Sequence, residues 1–274
     1  NIMNKQTFLT LLATFALLFS FTFSCHAKGK DKAKHVVFIG LDGWGAYSLP
    51  KADMPNVKKL MEDGAYTLKK RSALPSSSAI NWASMFMGAG PELHGYTEWG
   101  SKTPELPSRV LNKNGIFPTV FQLLRDARPE AEIGCLYEWE GIKYLVDTLS
   151  LSYHYHVADC NKTPKELGNM ASSYIKEKHP ALVAICYDGP DHTGHTAGHD
   201  TPEYYEKLKE LDMYVGQIVQ AVKDAGLLDD TIFILTSDHG GIDKGHGGKT
   251  MQEMETAFII SGKNIKKGLR FDDV

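Results

Sequence analysis

An α/β fold is predicted: a mostly parallel central sheet with helices on both faces, in three layers. Three features of the chain predict it. Apolar runs of strand length alternate with amphipathic stretches of helix length. Those strand runs are continuously apolar, which suits strands buried on both faces of a parallel sheet. Several of them end in acidic residues, at the edge of the sheet where ligands sit in such folds. The chain has 274 residues, 42% hydrophobic and 23% charged, enough for one large domain with a sizeable core. A net charge of -3 and a pI near 6.4 give no basic surface for nucleic acid.

The N-terminal stretch differs in kind. Lys5 precedes an apolar run from Phe8 to Phe23, followed by Ser24-Cys25-His26-Ala27 and a lysine-rich segment. That is the layout of a secretory signal over residues 1–27, leaving residues 28–274 as the exported domain. A membrane anchor is the alternative, although the run is short for a full span. A lipid anchor at Cys25 is another, with Thr22 poorly suited to it. The expected location is the periplasm or cell surface, and the expected start is Met3 rather than Asn1.

After this segment the elements alternate. His35 to Leu41 reads as a strand ending in Asp42-Gly43. Pro55 to Gly64 reads as a helix, with proline near its start and glycine past its end. Phe117 to Arg128 is a second helix, followed by the strand Ile133 to Tyr137. Pro164 to His179 is a third and feeds the strand Leu182 to Tyr187, which ends in Asp188-Gly189-Pro190-Asp191. Pro202 to Ala225 is a long amphipathic helix, with Leu208, Leu211, Val215, Ile218 and Val222 at helical spacing. It feeds the strand Ile232 to Leu235, and a last strand, Phe258 to Ile260, runs into Gly262. Beyond the leader, Cys135, Cys160 and Cys186 match no zinc-knuckle or redox spacing. Cys186 reads as core, and a Cys135–Cys160 disulfide is permitted but not required.

The chemistry-bearing residues gather at strand ends. Thr236-Ser237-Asp238-His239-Gly240-Gly241 and Gly245-His246-Gly247-Gly248 offer a carboxylate and two imidazoles on a glycine-rich loop. Such groups are ligands for a divalent metal, and glycine allows the turns that bring them together. Taken alone, the stretch also reads as a polar loop with surface histidines. Asp191 and His195 are four apart, on one face of a helical turn. His192 points elsewhere, and His199, past Gly198, stands at most on the substrate side. Asp42-Gly43 alone reads as a turn. Ser76-Ser77-Ser78-Ala79 leads into an apolar segment, a helix start where a hydroxyl is ordinarily a cap and where backbone N–H groups also bind phosphate. Asn81, one turn on, could reach back as a further donor.

The motifs Leu41-Asp42-Gly43, Ser78-Ala79-Ile80-Asn81, Pro190-Asp191-x-x-Gly194-His195, Ser237-Asp238-His239-Gly240 and Gly245-His246-Gly247 follow one another in that order. Together they resemble the alkaline phosphatase superfamily, most closely its type I phosphodiesterase/nucleotide pyrophosphatase branch. Ser77-Ser78-Ala79 is also similar to the nucleophile motif of the alkaline phosphatases proper, which favours Ser78. The resemblance implies an alkaline phosphatase-like fold and two divalent ions, usually zinc, although Asp/His sites accept manganese and others. One ion would be held by Asp191, His195 and His246, and the other by Asp42, Asp238 and His239 with the Ser78 oxygen. It implies an exported hydrolase of small phosphate esters (monoester, diester or pyrophosphate) working through a phosphoseryl intermediate. The Ala79 N–H and Asn81 would hold the non-bridging oxygens. A phosphotransferase or mutase, and a non-catalytic metal-binding relative, remain open alternatives.

Four departures from that pattern qualify it. Ser78 stands where the phosphodiesterases commonly have threonine. Trp99 stands where they carry an asparagine after a pair like His94-Gly95; Trp99, Tyr96 and Trp82 are expected to line the leaving-group pocket. His246 follows Asp238-His239 closely, as in the phosphopentomutase, phosphoglycerate mutase and glycosylphosphatidylinositol ethanolamine-phosphate transferase branches. Relatives usually continue beyond the last strand, so a C-terminally shortened domain is expected. The formylglycine signature of sulfatases is absent near Ser78.

Overall fold

The computed structural model describes residues 32–158 and 164–272. The expected leader, Cys25 and Cys160 lie outside them. Among the described residues eight strands form one sheet: β1 (His35–Leu41), β2 (Gly64–Arg71), β3 (Ile133–Tyr137), β4 (Tyr153–His156), β5 (Leu182–Tyr187), β6 (Thr231–Thr236), β7 (Glu255–Gly262) and β8 (Leu269–Arg270). Their spatial order is β4-β3-β5-β1-β6-β7-β2-β8. β1 lies between β5 and β6 and is parallel to both, with Leu41 opposite Tyr187 and Gly40 opposite Thr236. The carboxyl ends of these three strands therefore stand side by side. β7 runs antiparallel to β6 and to β2, a seam in an otherwise parallel sheet.

The helices are α1 (Pro55–Glu62), α2 (Ser78–Met87), α3 (Pro91–His94), α4 (Val120–Ala127), α5 (Pro164–Lys178), α6 (Gly189–Ala197), α7 (Pro202–Asp224) and α8 (Met251–Met254). On one face, Val57 and Leu60 of α1, Leu167 and Ile175 of α5, and Leu208, Leu211, Val215 and Ile218 of α7 pack on Val37, Ile39, Val183, Ile185 and Leu235. On the other, Trp82 and Phe86 of α2 and Phe121 of α4 pack over Cys135, Ala184 and Cys186. Alternate residues of the buried strands thus feed two separate cores, which is why both register positions are apolar. Cys135 and Cys186 are buried free thiols.

Three helix starts are capped by threonine side chains. Thr119 accepts the Gln122 N–H, Thr201 accepts the Tyr204 N–H, and Thr250 forms a reciprocal box with Glu253. α1 has no side-chain cap of its own. Its first-turn donors instead reach Asp212 of α7, which accepts the Asn56 N–H at 3.1 Å, the Val57 N–H at 2.8 Å and the Asn56 side-chain amide at 2.8 Å. Asp212 is buried, so Asp212→Ala takes the acceptor from the buried Val57 N–H and from the Asn56 N–H, while the Asn56 side-chain amide keeps the Asp212 backbone carbonyl at 3.1 Å. A stability loss of about 1–3 kcal/mol is expected, read as a lowered midpoint in urea. An unchanged midpoint would contradict this role.

Candidate metal and active site

Asp42 follows β1 at once, Asp191 sits in the first turn of α6 after β5, and Asp238 and His239 follow β6. Their strands are neighbours, so the three carboxylates are carried to one place by the sheet itself. Gly43 makes the approach possible: its φ is +67°, and an added Cβ would lie 2.7 Å from Asp191 Cβ. Ser78 opens α2, and its Oγ lies 3.2 Å from His239 Nε2. That nitrogen is also 3.3 Å from Asp42 Oδ1 and 3.3 Å from Asp238 Oδ2. Asp42, Ser78, Asp238 and His239 therefore converge.

A second convergence lies beside the first. His195 Nε2 is 3.2 Å from Asp191 Oδ2 and 3.2 Å from His246 Nε2, and His246 Nε2 is 3.7 Å from Asp191 Oδ1. The His239 and His246 rings stack with centroids 3.8 Å apart, which joins the two halves.

The histidine tautomers follow from their outer partners. Nδ1 of His239, His195 and His246 faces the carbonyls of Gly240 (2.7 Å), Lys244 (2.9 Å) and Ser76 (3.1 Å) respectively. A carbonyl oxygen only accepts, so each Nδ1 donates, and in the neutral ring each Nε2 lone pair points inward. The carboxylates are divided in the same way. Asp42 Oδ2 accepts the Trp82 indole N–H at 2.8 Å, and Asp238 Oδ1 accepts the Gly43 N–H at 3.2 Å. Asp42 Oδ1, Asp238 Oδ2 and Asp191 Oδ1 are buried with no hydrogen-bond partner among the described residues. Orphaned anionic oxygens facing imidazole lone pairs make a donor set that fits divalent cations, with the outer hydrogen bonds that usually orient metal ligands.

The electrostatics of these groups agree. Burial, then the charges of Asp238 and Asp191, push the Asp42 carboxyl well above the usual range. Asp238 is also raised, by burial, against the pull of His239. Asp191 is lowered: burial raises it, but the His195 hydrogen bond and the nearby imidazoles outweigh that. His195 in turn is raised to about 9 by its bond to Asp191, and His246 is pushed down to about 4 by burial.

Some sequence expectations are corrected. Asn81 cannot serve as a phosphate donor in this arrangement. Its side-chain N–H groups donate to the carbonyls of Ala73, Pro75 and Ser77, and its oxygen accepts the Ala73 N–H, so it fixes the loop entering α2. The Ala79 N–H is likewise taken, by the Trp99 carbonyl at 3.1 Å. Trp82 is fully buried with its indole N–H on Asp42, and Tyr96 is buried with its hydroxyl on the Tyr144 carbonyl, so neither side chain is exposed to a leaving group. Trp99 is 67% exposed, on the segment that meets the start of α2. His199 lies behind the cluster, not on the substrate side: it is buried, its ring sits between Gly194 and Gly241, and Nε2 is 4.0 Å from Asp191 Oδ1. The Trp82–Asp42 bond was missed because no motif marks it.

The chain matches the family model for type I phosphodiesterase / nucleotide pyrophosphatase over residues 36–257. It is 26% identical over 221 residues to the bis(5'-adenosyl)-triphosphatase of Mus musculus, covering 77% of this chain and 48% of that protein. A segment of 123 residues is 32% identical to GPI ethanolamine phosphate transferase 3 of Schizosaccharomyces pombe, covering 44% of this chain and 13% of that one. The fold superposes on a murine ectonucleotide pyrophosphatase/phosphodiesterase 5, solved in an inactive form with AMP. The TM-score is 0.71 at 14% identity, over 89% of this chain and 91% of that one. A 2-O glycosaminoglycan sulfatase superposes with a TM-score of 0.65 at 13% identity, over 87% and 68% of the two chains. The chain spans about half the length (48% and 47%) of the bis(5'-adenosyl)-triphosphatases it matches.

Metal uptake should carry a proton signature. Below about 9 the His195 ring holds its proton, and ligation requires the neutral ring. Zinc binding near neutral pH is expected to release at least one proton per chain, with affinity rising as the pH climbs toward that value. Calorimetry in buffers of different ionisation enthalpy reads the number; zinc binding without proton release would contradict it.

Proposed function

The chain belongs to the type I phosphodiesterase/nucleotide pyrophosphatase family, and on that footing we propose that it is a two-metal hydrolase of phosphoric esters with Ser78 as nucleophile. The observation that carries the reading is the position of Ser78 Oγ, 3.2 Å from His239 Nε2, at a point where the orphaned oxygens of Asp42 and Asp238 also converge. Asp191, His195 and His246 would hold one ion, and Asp42, Asp238 and His239 the other, with Ser78 beside it. Such ions supply Lewis acidity to the entering and leaving oxygens and favour the serine alkoxide.

The chain's own residues do the positioning. Ser78 begins α2, so its hydroxyl stands at the positive end of a helix, where a phosphate is also favoured. Asn81 locks the preceding loop and thereby fixes the direction of Oγ. In the reaction Oγ gives up its proton and bonds to phosphorus as the ester P–O bond breaks and the departing oxygen takes up a proton; water then cleaves the phosphoseryl ester, releasing phosphate and returning a proton to Ser78. The exposed Trp99, whose backbone carbonyl accepts the Ala79 N–H beside Ser78, is the side chain assigned to the leaving group. The bis(5'-adenosyl)-triphosphatase name of the mouse relative makes nucleotide esters the first substrates to assay.

Zinc is the first choice of metal, since Asp and His are among its usual ligands. Export belongs to the same proposal and rests on the leader expected over residues 1–27; no helix of the described residues is long and apolar enough to cross a membrane. A second reading, phosphoryl or phosphoethanolamine transfer to an alcohol, is favoured by the fission-yeast transferase match and by the short Asp238 to His246 spacing.

Ser78→Ala is expected to lower kcat by at least about a thousandfold on p-nitrophenyl phosphate, its bis ester or thymidine monophosphate p-nitrophenyl ester, whichever the native chain turns over. Ser77→Ala is expected to stay within about tenfold of the native rate. A Ser78→Ala chain that keeps its turnover would overturn the assignment. Chelation should abolish the native rate and zinc restore it.

A further inference from the structure

Beneath the Asp238 loop lies a cation that the catalytic reading does not use. Lys70 is in β2, two strands away from β6, and its side chain crosses β7 to reach the tip of β6. Nζ donates to the Ser237 carbonyl at 2.6 Å and to Thr256 Oγ1, on β7, at 2.9 Å. Ser72, two residues on, donates its hydroxyl to the Asp238 carbonyl at 2.6 Å and to the Met254 carbonyl at 3.1 Å. The peptide carbonyls on both sides of the Asp238 α-carbon are thus held from one segment. The β2–β7 register shifts between Thr67 and Lys70, and such an irregularity re-aims the side chains that follow it.

We propose that Lys70 is a positioning residue for the Asp42–Asp238–His239 half of the site, holding the Ser237–Asp238 peptide so that Asp238 and His239 face Asp42. This rests on the two-ion reading given above. Burial lowers the Lys70 ammonium to about 8 while Asp238 pulls it upward, so it carries its charge at neutral pH. Two effects of that group on a bound ion have opposite signs. Its charge repels a dication, whereas its grip on the peptide keeps the ligands converged. Holding Asp238 in place is the effect assigned as dominant, because Lys70 touches the backbone beside Asp238 and not the carboxylate itself.

The test is a cobalt(II) titration of the chelated full chain, followed by visible absorption, in the native protein and in Lys70→Met, Lys70→Arg and Ser72→Ala. The native chain is expected to take up two equivalents. Lys70→Met should bind one as before and the other at least about tenfold more weakly, with an altered absorption envelope, as loss of a residue behind a ligand does. Lys70→Arg should restore the affinity and the spectrum. Ser72→Ala should weaken the same equivalent, and it decides the matter if Lys70→Met does not fold. Unchanged binding in Lys70→Met and Ser72→Ala would overturn the proposal. Tighter binding in Lys70→Met would do so too, since the ammonium would then act only as a repelling charge. A native chain taking up fewer than two equivalents would remove the two-ion reading and this proposal with it.

Discussion

Three carboxylates, those of Asp42, Asp191 and Asp238, are buried together, and their mutual repulsion dictates what must surround them. A buried carboxylate is costly unless paired or ligated. Asp191 is offset by imidazoles and sits below the usual range, while burial and its neighbours hold Asp42 well above it. Each of the three keeps one oxygen without a hydrogen-bond partner among the described residues. The inward Nε2 atoms, the Trp82 indole and the Gly43 N–H are arranged around that shared charge, and divalent cations would complete it.

The sheet is what forces the groups together. β1 lies between β5 and β6, and each of these parallel strands ends beside the others. The loop from Gly240 to Gly248 then spans both halves of the cluster, with His239 and His246 stacked across it. α2 brings Ser78 in from the opposite face of the sheet, locked by the four bonds of the Asn81 amide. A single displaced element would separate the groups, which is why the packing of helices on both faces matters to the chemistry.

What could be read from the sequence follows from what leaves a local trace. β1, β3 and β5 are buried on both faces, so their continuous apolar runs marked their bounds. β2, with the pattern Gly-Ala-Tyr-Thr-Leu-Lys-Lys-Arg, β4, with Tyr-His-Tyr-His, and the two-residue β8 are edge or partly exposed strands and carry no such run. The antiparallel direction of β7 is written in no residue type. In the same way the motifs picked out Ser78, Asp42, Asp191, His195, Asp238, His239 and His246, side chains that the structure brings together, because side-chain identity carries that signal. They misjudged Asn81 and the Ala79 N–H, whose partners are backbone carbonyls elsewhere in the loops. Trp82 and Lys70 act from behind the cluster, through contacts between segments far apart in the chain, and no short pattern records those.

The proposed function requires that the carboxylates and imidazoles form two adjoining cation sites rather than one. A crystal structure with anomalous data collected on both sides of the zinc edge tests it most directly. Two anomalous peaks about 4 Å apart are expected, one bounded by Asp191, His195 and His246, the other by Asp42, Asp238 and His239 next to Ser78. A single peak shared by all six side chains, or peaks away from them, would contradict it.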